Sequence, residues 1–164
     1  WEIFGEDYGE HHLFSLFLHA AIVILFFLFL RAATGRKWES GLCAALFALH
    51  PVNVEMVVWI SGLNGLLEAF FLGLALVGYA YYLSRPSVLR YLLILVPFAL
   101  GLLSRPSIAV FPLLMFFLDY WPFRRFGPGR NQTGKSVSPA GCGKLVAEKI
   151  PFIFLVGMQV IAGQ

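Results

Sequence analysis

Long apolar runs broken by short polar stretches set the pattern along this chain. Residues 12–31 (HLFSLFLHAAIVILFFLFLR) are apolar all round a helix rather than on one face, as a helix surrounded by lipid is. A crossing takes about 20 helical residues. Residues 41–49 (GLCAALFAL) are too few, so a second span has to run on through His50-Pro51 to about Ile60, over 39–60. Proline removes a hydrogen bond and kinks the helix that holds it, so a bend is expected near Pro51.

Gly62-Leu63-Asn64-Gly65 predicts a tight turn into a third span at about 66–84. Tyr79, Tyr81 and Tyr82 near its end read as an interfacial aromatic belt. Residues 90–103 and 106–121 are shorter apolar runs divided by Ser104-Arg105-Pro106, and predict a hairpin of short or tilted helices. Residues 122–148, rich in Gly, Pro and Ser, read as a flexible loop. Residues 149–164 form a sixth span, cut short. Residues 1–11 are acidic and read as an aqueous loop. No internal repeat is visible.

Composition fixes the class. The chain is 59% hydrophobic and 13% charged over 164 residues, with a mean hydropathy of +0.79. That is more apolar surface than a water-soluble domain of this size hides, so the fold class is all-α, a polytopic helical membrane protein in a lipid bilayer. With no initiator Met before Trp1 and an apolar run up to Gln164, the chain reads as one incomplete membrane domain of about six spans. Cys43 and Cys142 have neither metal-ligand spacing nor a plausible disulfide.

Charge sets the orientation. If the spans alternate, Arg31, Arg36, Lys37, Arg85, Arg90, Arg124, Arg125, Arg130, Lys135, Lys144 and Lys149 share one side, and of the 12 basic residues only Arg105 is opposite. The positive-inside rule makes the shared side cytoplasmic. The net charge of +3 follows the membrane and does not point to nucleic acid. Asn131-Gln132-Thr133, a glycosylation acceptor pattern, then falls on the cytoplasmic side and goes unused.

Candidate chemistry gathers at the outer end. His50, Asn53 and Glu55 lie in one kinked stretch, where polar side chains should face other helices or a water-filled cavity rather than lipid. Glu55 qualifies as a general base or a metal ligand, and His50 as a group that orients acceptor or phosphate. The competing reading is structural: the three satisfy the carbonyl freed by Pro51 and pin one helix to another. Trp59 is either an interfacial anchor or a sugar-stacking platform. His12 and His19, seven residues apart, share a helix face. Either they begin a metal site, for which no third ligand is assignable, or they hydrogen-bond between helices. Glu68, with Asn64 four residues earlier on its face, needs a partner such as His50 or His19, or serves the site. The guanidinium of Arg105 suits a bidentate grip on phosphate; snorkelling to headgroups is the alternative. Asp119 with Arg124 and Arg125 reads as a helix-end arrangement, and Glu6, Asp7 and Glu10 as a solvated loop.

The stretch HPVNVEMVVWISG followed by a leucine-rich span resembles the HPVHVEAVAWVAGRxD signature of the transmembrane and tetratricopeptide-repeat (TMTC) proteins and their bacterial relatives. Leu103-Ser104-Arg105-Pro106 through Asp119-Tyr120-Trp121-Pro122 is similar to that family's LLSKP…LLLLDYWPL block. Glu148-Lys149-Ile150-Pro151 is similar to its EK-PFF stretch, and His12-x-x-Ser15-x-x-x-His19 to its H-x-x-N-x-x-x-H helix. The resemblance runs in register over nearly the whole chain. Two departures stand out: Gly62-Leu63-Asn64-Gly65 replaces Gly-Arg-x-Asp, and Ser15 replaces asparagine.

The resemblance implies a C-type glycosyltransferase-like membrane domain. Such a domain moves sugar from a polyprenyl-phosphate carrier to an acceptor, usually protein, on the outer face of a bacterial inner membrane or the lumenal face of the endoplasmic reticulum. It implies catalytic acids upstream of Trp1 and tetratricopeptide repeats after the membrane domain. His12, His19, His50, Asn53, Glu55, Trp59, Asn64, Glu68 and Arg105 are then the substrate-binding candidates, with Glu55 and His50 candidates for catalysis. No metal ligands are assigned, although a divalent metal would fit phosphate chemistry. A non-catalytic scaffold anchoring repeats for a protein partner is the alternative, the lost Arg and Asp favouring it. A transporter comes third, without repeat symmetry in its support.

Single cysteines at Ser136 and Asn64 should label from opposite sides of the membrane with an impermeant thiol reagent. Labelling of both from one side contradicts the orientation.

Overall fold

The computed structural model describes residues 8–59, 62–123 and 142–162, and among these every regular element is helical. The first helix, α1, is Tyr8–Thr34. It stops at Gly35, whose φ of 74° is open to a residue without a Cβ, and whose N–H bonds the Arg31 carbonyl at 2.9 Å. Next come α2 (Lys37–Leu49) and α3 (Pro51–Val58), bent by 51° at His50. Helix α4 (Leu63–Ser84) follows. The expected tight turn at 62–65 is therefore corrected: Leu63, Asn64 and Gly65 already form the first turn of α4, and the Gly62 N–H closes back on the Trp59 carbonyl at 2.9 Å. Helix α5 (Val88–Ser104) ends where Pro106 forces Arg105 into extended backbone, with φ −152° and ψ 139°. A 3-10 turn (Pro106–Val110) leads into α6 (Phe111–Tyr120). The short α7 (Cys142–Ala147) and then α8 (Ile150–Ala162) complete the described chain.

By length and composition, His11–Thr34 and Leu63–Ser84 are able to cross a bilayer, and the bent α2–α3 pair makes a third candidate if it counts as one span. The remaining apolar helices, Val88–Ser104, Pro106–Tyr120 and Ile150–Ile161, are shorter. Outward-facing Phe17, Leu46, Leu92 and Leu103 are exposed, as side chains in contact with lipid are. The chain is thus an all-helical membrane protein with two to three candidate spans.

Helix α4 is central, packed between α1 and α5. Glycine makes both approaches close. A Cβ on Gly73 would stand 3.1 Å from Leu25 Cβ of α1, and one on Gly78 would stand 3.1 Å from the Leu93 carbonyl of α5. Small residues at such contacts let membrane helices gain van der Waals energy, which replaces the hydrophobic drive that lipid removes. The larger core surrounds the second half of α4, where Phe98, Phe111 and Phe152 from α5, α6 and α8 stack edge to face or tilted. A smaller core of Leu18, Ile22 and Leu66 lies at the other end.

Inside the larger core is a polar cluster. Asp119 and Lys149 are fully buried and ion-paired at 2.5 Å, and the Tyr79 hydroxyl donates to the same carboxylate. The Lys149 ammonium also lies 4.4 Å from the centre of the Phe116 ring. Asp119 does lie in the last turn of α6, with Lys149 and Tyr79 as buried partners, while Arg124 and Arg125 lie outside the described residues. One reading is corrected here: the tyrosines do not form a belt. Tyr79 and Tyr82 are buried, with Tyr82 donating to Glu148 at 3.0 Å, and only Tyr81 faces outward. A carboxylate in an apolar helix is costly without a cation, so burial against Lys149 outweighs exposure at a helix end.

Removing one member of a buried pair costs about 3–5 kcal/mol, whereas replacing both by apolar groups is near neutral. Lys149→Met should therefore lower thermal stability in detergent sharply, and Asp119→Leu/Lys149→Met should recover most of the loss. Equal loss in the single and double variants contradicts the pairing.

Candidate functional site

Pro51 has no N–H, so the carbonyl four residues earlier, Phe47, loses its helical donor. Chain geometry follows from this. His50 turns extended (φ −65°, ψ 129°), α2 stops, and α3 restarts with proline in its first turn, where no donor is needed. Several of the groups freed near the break have new partners. The Asn53 amide donates to the Phe47 carbonyl at 2.7 Å, with the His50 N–H also on it at 3.3 Å. The Ala48 carbonyl accepts from His19 Nε2 at 3.2 Å. The Val52 N–H donates to His50 Nδ1 at 3.4 Å, making His50 the N-cap of α3. In these contacts His50 accepts through Nδ1 and His19 donates through Nε2.

Three of the candidate residues thus hold the bend, and the bend aims α3. Its outer face, with Val52, Glu55, Met56 and Trp59, lines an open cavity of about 430 Å³ that Arg105 closes from the end of α5. Arg105 is placed by its neighbours. Its N–H bonds the Gly101 carbonyl at 3.0 Å, and Ser104 Oγ donates to the Asn64 carbonyl at 3.2 Å, tying the end of α5 to the start of α4. The guanidinium lies over the first turn of α4, where a Cβ on Gly65 would be 3.7 Å from Nη1 and 3.4 Å from Met56 Sδ. The cavity therefore holds one carboxylate, one guanidinium and one indole, all exposed. Such a set has the chemistry to bind a phosphate ester at Arg105, to accept a proton at Glu55 and to offer an aromatic face at Trp59.

The other candidates do not line this cavity. Asn64 contributes its backbone carbonyl, and its side chain is exposed. Glu68, one turn on, is half-buried and makes no hydrogen bond or ion pair with the described residues; His19 and His50 are bonded elsewhere. His12 is exposed near the start of α1. Among the described residues no three His, Cys, Asp or Glu side chains converge. Glu6 and Asp7 lie outside the described residues. Met56 escaped sequence reasoning, which had no means of telling its face of α3 from that of Val57. Ser104 escaped as well, although a hydroxyl one residue before Arg-Pro at a helix end signals a tie.

Helices of this length and composition place the chain among bilayer-associated helical proteins. Over 80 residues it is 32% identical to the mouse protein O-mannosyl-transferase TMTC2, a match covering 49% of this chain and 10% of that protein's length. The chain thus spans about a tenth of the curated relative it matches. No family model matches it, and no solved structure does.

The carbonyl pairing has its own test. Asn53→Ala should destabilise the protein by about 1–3 kcal/mol, the cost of a poorly paired acceptor where lipid supplies no donor. In a Pro51→Ala background the residue 51 N–H returns and the same substitution should cost far less. Additive costs in thermal unfolding contradict the assignment.

Proposed function

We propose that this chain is part of a membrane glycosyltransferase, and that its α3–Arg105 cavity receives the phosphate-bearing end of a polyprenyl-phosphate-linked sugar. The observation that carries this reading is that Arg105 lines one cavity with Glu55 and Trp59, its guanidinium lying over the first turn of α4. The likeness to a protein named as an O-mannosyl-transferase supports the same class. In the reaction an acceptor hydroxyl attacks the sugar's anomeric carbon, and the bond to the carrier phosphate breaks. Arg105 stabilises charge on the leaving phosphate, Glu55 takes or relays the hydroxyl proton, and Trp59 stacks on the sugar. The acceptor is a protein on the outer or lumenal side, opposite the basic loops. The six-span organisation and the tetratricopeptide repeats belong to this proposal, as does His50 as a residue that orients substrate.

A second reading has one observation in its favour. The first turn of α4, beneath the Arg105 guanidinium, carries Leu63, Asn64 and Gly65 where the resembled family has an arginine and an acid. A non-catalytic membrane anchor for repeats would tolerate that loss, and would show no sugar transfer while keeping its protein partners.

Arg105→Lys keeps the charge but loses the fork. In the intact protein it should weaken binding of the polyprenyl-phosphate donor about tenfold, as loss of one charge-assisted hydrogen bond does, while expression holds. Unchanged donor affinity and turnover in both Arg105→Lys and Arg105→Gln contradict the proposal.

A further inference from the structure

At the end of α1 remote from Glu55, a second open cavity of about 390 Å³ lies between the α1–α2 turn and the end of α6. Leu30, Thr34, Arg36, Glu39, Ser40, Cys43 and Trp121 line it. The end of an apolar helix such as α1 is where a span meets lipid headgroups. The cavity begins where α1 ends at Thr34, and Trp38 beside it is 90% exposed, as an interfacial anchor is.

The polar groups divide into two kinds. Arg36 supplies a forked cation, and Glu39 supplies a carboxylate 3.7 Å away. Both side chains are largely exposed, so their mutual attraction is weak and each is available to a ligand of opposite charge. The hydroxyls add to the acceptor side. Thr34 gives its proton to the Leu30 carbonyl at 2.8 Å, and Ser40 gives its proton to the Arg36 carbonyl at 2.6 Å. Thr34 Oγ1 also accepts from the Arg36 N–H at 3.3 Å and lies 3.3 Å from Ser40 Oγ, so the two oxygens support Glu39 only with the lone pairs those contacts leave. A site with one phosphate-seeking cation and a carboxylate–hydroxyl acceptor group beside it matches a ligand that carries phosphate and a primary ammonium together.

We propose that this cavity binds the headgroup of an aminophospholipid, phosphatidylethanolamine in chemistry, with Arg36 on its phosphate and Glu39, Thr34 and Ser40 around its ammonium. Leu30 and Trp121 cover the start of its acyl chains. Two features select this headgroup. A choline headgroup has no N–H to give the acceptors and calls for an aromatic cage, of which Trp121 is a single wall. A headgroup with a net negative charge meets Glu39, which opposes the general attraction of this basic end for anionic lipid. The inference stands apart from sugar transfer and survives its failure.

The test is lipid retention by the purified intact protein, measured by native mass spectrometry in competition among phosphatidylethanolamine, phosphatidylcholine and phosphatidylglycerol. Wild type should prefer the ethanolamine lipid over the choline lipid by about tenfold, through charge-assisted N–H···O bonds. Glu39→Gln should bring that ratio close to one, and Arg36→Gln should weaken both lipids alike. Both positions are exposed, so folding is not at stake in these variants. Cys43, exposed and in the cavity wall, locates the effect: its maleimide labelling should slow in ethanolamine-lipid vesicles relative to choline-lipid vesicles. Equal retention of the ethanolamine and choline lipids overturns the proposal. So does stronger retention of phosphatidylglycerol, or a preference unchanged by Glu39→Gln.

Discussion

A carbonyl that loses its helical donor inside a membrane has to find another, because lipid offers none. Pro51 creates that demand at Phe47, and the candidate site is built from the answer. Asn53 turns back to the Phe47 carbonyl, His19 reaches across from α1 to Ala48, and His50 caps the new helix. The 51° bend they hold swings α3 out of line with α2 and presents Glu55, Met56 and Trp59 to a cavity. A straight helix would leave those side chains facing lipid or α4. Residues that resemble catalytic groups by type thus act first as structural ones, and the residues left for chemistry are those they position.

The two ends of the bundle differ in how they are held. Around the second half of α4, a large aromatic core encloses the Asp119–Lys149 pair and joins α4, α5, α6 and α8. At the bend the hydrophobic core of the described residues is small, with Leu18, Ile22 and Leu66, and α3 contains no buried residue. Helices with few buried contacts open at low free energy, and binding elements are drawn from that class. The bend is thus the less tightly packed end of a bundle anchored at the other, which suits the proposed entry of a long lipid-linked molecule. The Gly73 and Gly78 contacts keep α4 fixed between α1 and α5, so the looser packing falls on α3 rather than on the whole bundle.

Much of this is local chemistry and therefore legible in sequence. The bend near Pro51 follows from one missing N–H, and the division of α5 from α6 follows from Arg105-Pro106. The helical membrane class follows from composition. Pairings across the bundle were less accessible. Asp119 and Lys149 are separated by the long polar stretch 122–148, and hydropathy groups Lys149 with the basic residues of that stretch rather than with the core. A carboxylate within an apolar run was the sign that a buried cation existed somewhere. Tyr79 and Tyr82 misled because an aromatic cluster at a span end has the same composition whether it faces headgroups or a buried acid. The placement of Arg105 in the cavity wall had no local sign at all, since position in the chain serves both the rim and the cavity. It depends on where α3 comes to lie beside α5.

The central claim is that the face of α3 beyond the bend meets the phosphate end of a lipid-linked molecule. It is tested most directly by a photo-crosslinking residue, benzoylphenylalanine, in place of Met56 in the intact protein within its membrane, with radiolabelled polyprenyl phosphate added. The same residue in place of Trp38, exposed at the opposite end of the bundle, serves as the control. The account predicts a labelled adduct at position 56 that excess unlabelled polyprenyl phosphate competes away, and little at position 38. Equal labelling at the two positions, or none at position 56, would contradict it.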